Sequence, residues 1–185
     1  MKKLALMIAI AAGSMACQPA PAPPAAAPAP PPSTAIRDSL KSSYDSVKDN
    51  LIKSAEQLPE AKLAFQATKE VRTFGQILGH IANENYVFCG AASGQKGPGG
   101  DFEKTTKKAE LQKALADSFA FCDQAFAGLN DQTGGAAAEI PDFGMKGTKF
   151  SMLAANTAHD AEHYGNIVTY MRLNKMVPPS SQPSK

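Results

Sequence analysis

A chain of 185 residues, 43% hydrophobic and 19% charged, has room for one domain of ordinary globular composition. Two of the 19 basic residues are Lys2 and Lys3; without them 17 basic residues face 17 acidic ones, and the formal charge is zero. A neutral chain with no basic stripe and no interleaved aromatics has no electrostatic footprint for a polyanion, so no nucleic-acid partner is expected.

Residues 1–16 have the layout of a secretory signal: Lys2 and Lys3, an apolar run from Leu4 to Ala12, then Gly13-Ser14-Met15-Ala16. The run is too short to span a bilayer permanently. Cleavage after Ala16 suits an ordinary signal peptidase, and Cys17 at the new N-terminus suits lipid attachment to its sulfur. Ser14 stands where a lipoprotein signal usually carries an aliphatic residue, so both alternatives remain. Either way the chain is expected to be exported to the periplasm or cell envelope. Residues 17–35 are dominated by Pro and Ala and form a semi-rigid spacer rather than part of a core. Such a spacer would lift a domain away from a membrane if Cys17 tethers it there.

From Ile36 the apolar residues Ile36, Leu40, Tyr44, Val47, Leu51, Ala55 and Leu58 recur in steps of three and four, predicting a first helix. Ser33 or Thr34 can cap it, and Pro59 stops it. Residues 60–72 read as a connector that tucks Leu63 and Phe65 under the bundle. Thr73 with Gln76 is a capping box that opens a second helix, with Phe74, Ile77, Leu78, Ile81 and Phe88 on its stripe. The Gly-rich run 90–100 is a loop and lacks the Gly-Lys-Ser/Thr ending of a phosphate loop. A third helix is predicted from about Thr106 to Leu129, with Leu111, Leu115, Phe119, Cys122 and Phe126 inward. Residues 130–147 read as irregular. A fourth helix runs from Thr148 to about Lys175. Four amphipathic helices and no convincing strand period predict an all-α four-helix bundle.

The chain has three histidines. His159 and His163 are four apart, so they project about 40° from each other on one helix face. That face also carries Met152, Asn156, Ile167 and Tyr170. His80 lies beside the stripe of the second helix. Three imidazoles from two helices suit one divalent transition metal, because a neutral ring nitrogen is a borderline-soft ligand. Leaving three such rings buried without a partner would cost several kcal/mol. Three protein ligands also leave coordination positions open for chemistry. Glu84 and Asn156 are candidates to orient the rings, and Tyr86, Tyr164 and Tyr170 are candidates to line a pocket. Asp160 and Glu162 fall off the stripe and are expected to be exposed. After Cys17, the even pair Cys89 and Cys122 is either a disulfide or two buried thiols.

Arg72-Thr-Phe-Gly-Gln-Ile-Leu-Gly-His80-Ile-Ala, with His159-Asp-Ala-Glu-His163-Tyr-Gly-Asn-Ile-Val-Thr-Tyr170 and Val177-Pro-Pro-Ser180, resembles the DinB-like (DinB/YfiT) superfamily over residues 36–180. The resemblance implies an up-down-down-up bundle and one divalent metal, Zn or Ni, on His80, His159 and His163. It also implies, for some members, transfer or isomerisation using a low-molecular-weight thiol, a cofactor of the cytoplasm that an exported chain would not meet. The implied topology brings Cys89 and Cys122 to one end of the bundle and so favours their disulfide. Two functions fit: a metal-dependent hydrolase or transferase, which needs an open coordination position, or a non-enzymatic envelope module that binds or senses metal. The partners to consider are an unidentified small molecule, a membrane reached through lipidated Cys17, and a second copy of the chain in a homodimer.

Overall fold

The computed structural model describes residues 30–183. The expected signal peptide, Cys17 and most of the expected Pro/Ala linker lie outside the described residues. Four long helices make the bundle: α1 (Ala35–Gln57), α2 (Phe74–Ser93), α3 (Lys108–Ala127) and α4 (Lys149–Leu173). Among the described residues no helix is long and apolar enough to cross a membrane.

Helix directions follow from the side chains that meet. On α2 and α3, Asn85 bonds Ser118 and Cys89 bonds Cys122, so the two helices run parallel. Between α2 and α4 the order reverses, with His80 beside His159 and Asn85 bonded to Asn156. Between α1 and α3 it reverses too: Lys48 reaches Asp123, while Gln112 donates to the Ala55 carbonyl. These directions make the up-down-down-up topology. Tyr44, Phe119 and Phe126 fill the α1–α3 seam, and the Tyr44 hydroxyl donates to the Phe119 carbonyl at 3.0 Å. Satisfying that hydroxyl is what permits a tyrosine in a dry core.

Parallel α2 and α3 oblige the chain to travel back along the bundle. Gly94, at φ +78°, ends α2 in a left-handed cap. The return segment then lies against α2, where Asn83 Oδ1 accepts from the Phe102 N–H at 3.0 Å. Gly79 makes that approach feasible, because a Cβ there would sit 2.3 Å from the Phe102 carbonyl oxygen. The connector 60–72 works differently. Leu63 and Phe65 pack on the core as expected, and their carbonyls accept from the N–H groups of Gly75 and Phe74, completing the Thr73–Gln76 cap.

Three sequence expectations need correction. Residues 130–147 are not wholly irregular: one helical turn (Asp131–Gly134) leads into an antiparallel hairpin, β1 (Ala137–Ile140) with β2 (Met145–Thr148). Its strands are four residues each, Ala-Ala-Glu-Ile and Met-Lys-Gly-Thr, too short and too mixed to show a propensity signal; burial of Ile140 and the turn at Gly144 hold them. Thr34 makes no capping bond to α1 with its side chain, and Ser33 Oγ accepts only from the Ala35 N–H, at a long 3.4 Å. The next two N–H groups, of Ile36 and Arg37, are capped by Asp131 Oδ1 from across the bundle, while Ser33 Oγ donates to Asp131 Oδ2. Ile36 is 54% exposed because the first turn of α1 extends past the core.

Cys89 and Cys122 form the disulfide, fully buried, with Cα atoms 5.1 Å apart and a sequence separation of 33. A loop of that size constrains the unfolded chain by roughly 3–4 kcal/mol. Replacing both by Ala should therefore lower the unfolding free energy by about that amount in urea titrations. Dithiothreitol should leave the native protein unaffected until it unfolds.

Candidate metal centre

His80 leaves α2 on the side facing α4, and His159 and His163 leave α4 one turn apart. Their Nε2 atoms converge: His159 to His80 is 3.2 Å, and His163 to His159 is 3.1 Å. Metal–nitrogen bonds of about 2.0–2.1 Å at near-tetrahedral angles place ligand nitrogens about 3.3 Å apart, so the spacing fits a single ion. All three ligand atoms lie within 4.8 Å of one another, and ring nitrogens this close either share a proton in an N–H···N bond or face a cation.

The far sides of the rings decide how they are held. His80 Nδ1 donates to Glu103 Oε1 at 2.9 Å, which leaves the Nε2 lone pair pointing inward. Glu103 Oε2 accepts from Arg72 Nε at 3.0 Å, so the carboxylate is itself fixed. His163 Nδ1 faces the Asn166 side-chain amide at 3.4 Å. His159 Nδ1 has no hydrogen-bond partner; Asp160 Oδ1, also unpartnered, lies 3.8 Å away, too far for a direct bond. Beside the rings is an open cleft of about 590 Å³ whose lining includes Arg72, Gln76, Glu162, His163, Asn166 and Tyr170.

A model of the DinB superfamily matches residues 43–167. The chain belongs to the DinB superfamily. A DinB-like protein from Bacillus cereus ATCC 10987 superposes with a TM-score of 0.65 at 16% identity, covering 77% of this chain and 95% of the other. YfiT from Bacillus subtilis, described as a probable metal-dependent hydrolase with an unusual four-helix bundle topology, superposes with a TM-score of 0.61 at 17% identity. That alignment covers 82% of this chain and 94% of YfiT. At such identities the likeness establishes the fold alone. No curated protein matches the chain.

In this DinB-superfamily member the three histidines meet as the sequence implied, but their surroundings differ from expectation. Glu84 is half-buried with Oε1 3.9 Å from His80 Nδ1, so it sits near the ring without bonding it. Glu103 takes the bond instead. It is 23 residues from His80 in sequence, in an exposed-looking segment, and no local signal marks it. Asn156 touches no ring; its amide donates to Asn85 Oδ1 and Asp160 Oδ2. Asp160 is not exposed but fully buried, because α4 packs on α1 as well as α2 and buries a wider arc than one stripe. Glu162 is exposed as expected and lies on the cleft. Of the tyrosines only Tyr170 lines it, its hydroxyl donating to the Arg72 carbonyl at 2.8 Å. Tyr164 bonds Ser180 and Tyr86 packs against Phe102 and Phe121.

Electrostatics favour the neutral ring at His80 and at His163. Burial, reinforced by the neighbouring imidazoles and the Arg72 guanidinium, holds His163 down to about 4. Burial and then Arg72 lower His80, against the opposing pull of Glu103. Neutral rings keep their lone pairs for a metal at physiological pH. Burial pushes Asp160 up to about 6, because its carboxylate has one hydrogen bond and no cation bonded to it.

Two outcomes follow. Replacing Glu103 with Ala should weaken metal affinity by roughly 10–100-fold in chelator competition while barely altering unfolding of the metal-free protein. For Asp160 the folded pKa lies above the unfolded value of 3.8, so its burial is free of penalty below that value and destabilising once pH rises through about 6. Metal-free Asp160→Asn should thus be more stable than metal-free wild type at pH 8, by about 1–3 kcal/mol, with the gap closing at pH 4. Urea titrations at the two pH values measure it.

Proposed function

We propose that this chain is an exported metal-dependent hydrolase that binds one zinc or nickel ion through His80, His159 and His163. The observation that carries the reading is the convergence of three Nε2 atoms at an open cleft, since three ligands leave room for water and substrate. The description of YfiT as a probable metal-dependent hydrolase supports it. Hydrolysis is favoured over thiol transfer because it needs only water, which an exported protein always meets.

When bound, the ion would supply Lewis acidity for a substrate carbonyl and a lower pKa for water. The chain supplies the rest. Glu103 fixes the His80 tautomer, and Arg72 fixes Glu103. Tyr170 pins the backbone at Arg72 and walls the cleft. We assign the proton transfer from the attacking water to the leaving group to Glu162, because it is the carboxylate next to His163 on the cleft.

Export is supported by the signal-like residues 1–16 and by the Cys89–Cys122 disulfide, which persists in oxidising compartments. In that setting Cys17 is the mature N-terminus, and residues 17–35 connect it to the bundle.

The purified chain should hold one zinc or nickel ion by elemental analysis, and His159→Ala or His163→Ala should hold none. At a metal concentration a thousandfold above the dissociation constant, the loss should remove about 4 kcal/mol of stability. A panel of esters and amides should be hydrolysed by the wild type, inhibited by chelator and restored by metal. A folded wild type that retains no metal after loading and desalting would overturn the proposal. Mass spectrometry of protein from its host should find Cys17, with or without lipid, at the N-terminus; an intact Met1 would remove export.

A further inference from the structure

Arg72 is held at both ends of its side chain yet leaves its fork unused. Its carbonyl accepts from the Tyr170 hydroxyl at 2.8 Å, and its Nε donates to Glu103 Oε2 at 3.0 Å. Among the described residues the hydrogen bond made by this guanidinium runs through Nε alone, and the side chain is 43% exposed on the cleft that His163 also lines. The same Glu103 carboxylate reaches His80 Nδ1, so the guanidinium stands one carboxylate away from the ring and within roughly 10 Å of its Nε2. A planar guanidinium fixed through Nε presents its two Nη atoms as a preorganised edge, which matches a carboxylate bidentately.

The cleft also narrows the charge of what can dock. Glu70 and Glu162 line it together with Arg72. A phosphate dianion would meet two carboxylates for one guanidinium, whereas a monoanion meets less repulsion and keeps the bidentate pair. Gln76 and Asn166 add neutral donors and acceptors on the wall between them.

We infer that the substrate is a small acyl compound carrying a free carboxylate, anchored by the Nη edge of Arg72 while its hydrolysable carbonyl lies at the three histidines. This rests on the hydrolase reading above and adds to it the class of substrate and the residue that selects it. The Arg72–Glu103–His80 chain then links recognition to ring orientation: the residue that reads the carboxylate also holds the carboxylate that holds His80.

The test measures binding rather than turnover. Full-length zinc-loaded protein is titrated calorimetrically with three hydroxamates of similar length: succinic monohydroxamate, butanohydroxamate and 3-phosphonopropanohydroxamate. Each offers the same metal-directed group and differs in its tail. The carboxylate probe should bind about tenfold or more tightly than the neutral one, and more tightly than the phosphonate. In Arg72→Gln the carboxylate preference should fall to about one. Should that variant fail to retain zinc, Arg72→Lys keeps the charge without the planar fork, and its preference should fall to about two- to threefold. Equal binding of the carboxylate and neutral probes overturns this inference and leaves the hydrolase reading standing. A preference that survives in both variants removes Arg72 from the role, and a preference for the phosphonate overturns the carboxylate class. If zinc is retained but no hydroxamate binds, the open site itself is wrong, and this inference falls with it.

Discussion

Parallel α2 and α3 leave the chain no short way between them, and the geometry of the centre depends on how that distance is covered. A 20-residue helix is about 30 Å long, so the return segment must be laid along the bundle, and it meets α2 through a 3-10 turn at Phe102–Lys104. It lies on α2 because Gly79 has no Cβ to push it off. One residue further on is His80, and the segment brings Glu103 against its Nδ1. A glycine beside a metal-ligand candidate thus acts on that ligand through the backbone of a different segment.

The centre sits against a buried polar layer rather than a hydrocarbon core. Asn85 from α2, Ser118 from α3, and Asn156 and Asp160 from α4 are all fully buried and joined by hydrogen bonds. Such networks are favourable only when every member is satisfied. Here Asn156 Oδ1, Asp160 Oδ1 and His159 Nδ1 have no partner. Asp160 Oδ1 lies 3.8 Å from His159 Nδ1, where a cation on the rings would offset the buried carboxylate. Bundle stability and metal affinity are therefore coupled through Asp160, and the disulfide beside Asn85 keeps α2 and α3 in register while that charge is uncompensated.

The cleft places an opposite demand on the surface. Arg72 is needed close to the rings but carries the charge that a metal ion would repel. Glu103 resolves this by lying between them, accepting from both sides at 2.9 and 3.0 Å. The connector that carries Arg72 is fixed by Phe65 and Phe74 stacking edge-on against Tyr170, so its position is set by core packing and not by the ion pair alone.

The sequence by itself determined the helices, the Thr73–Gln76 cap and the three histidines, because periodicity and capping are local and a His-x-x-x-His face is set by the helix repeat. It also exposed the even cysteine pair, though the pairing needed a topology. What only the tertiary structure decided are the contacts between segments remote in sequence: Glu103 on His80, Asp131 on the start of α1, and the free edge of Arg72 on the cleft. Asp160 reads as exposed from one helix stripe, yet it is buried because two neighbouring helices cover α4. The hairpin at 137–148 is invisible locally because four-residue strands of mixed composition gain their stability from pairing and from Ile140 against the bundle. Local propensity is written residue by residue, whereas the partner of a buried or charged group depends on which distant segment the fold brings to it.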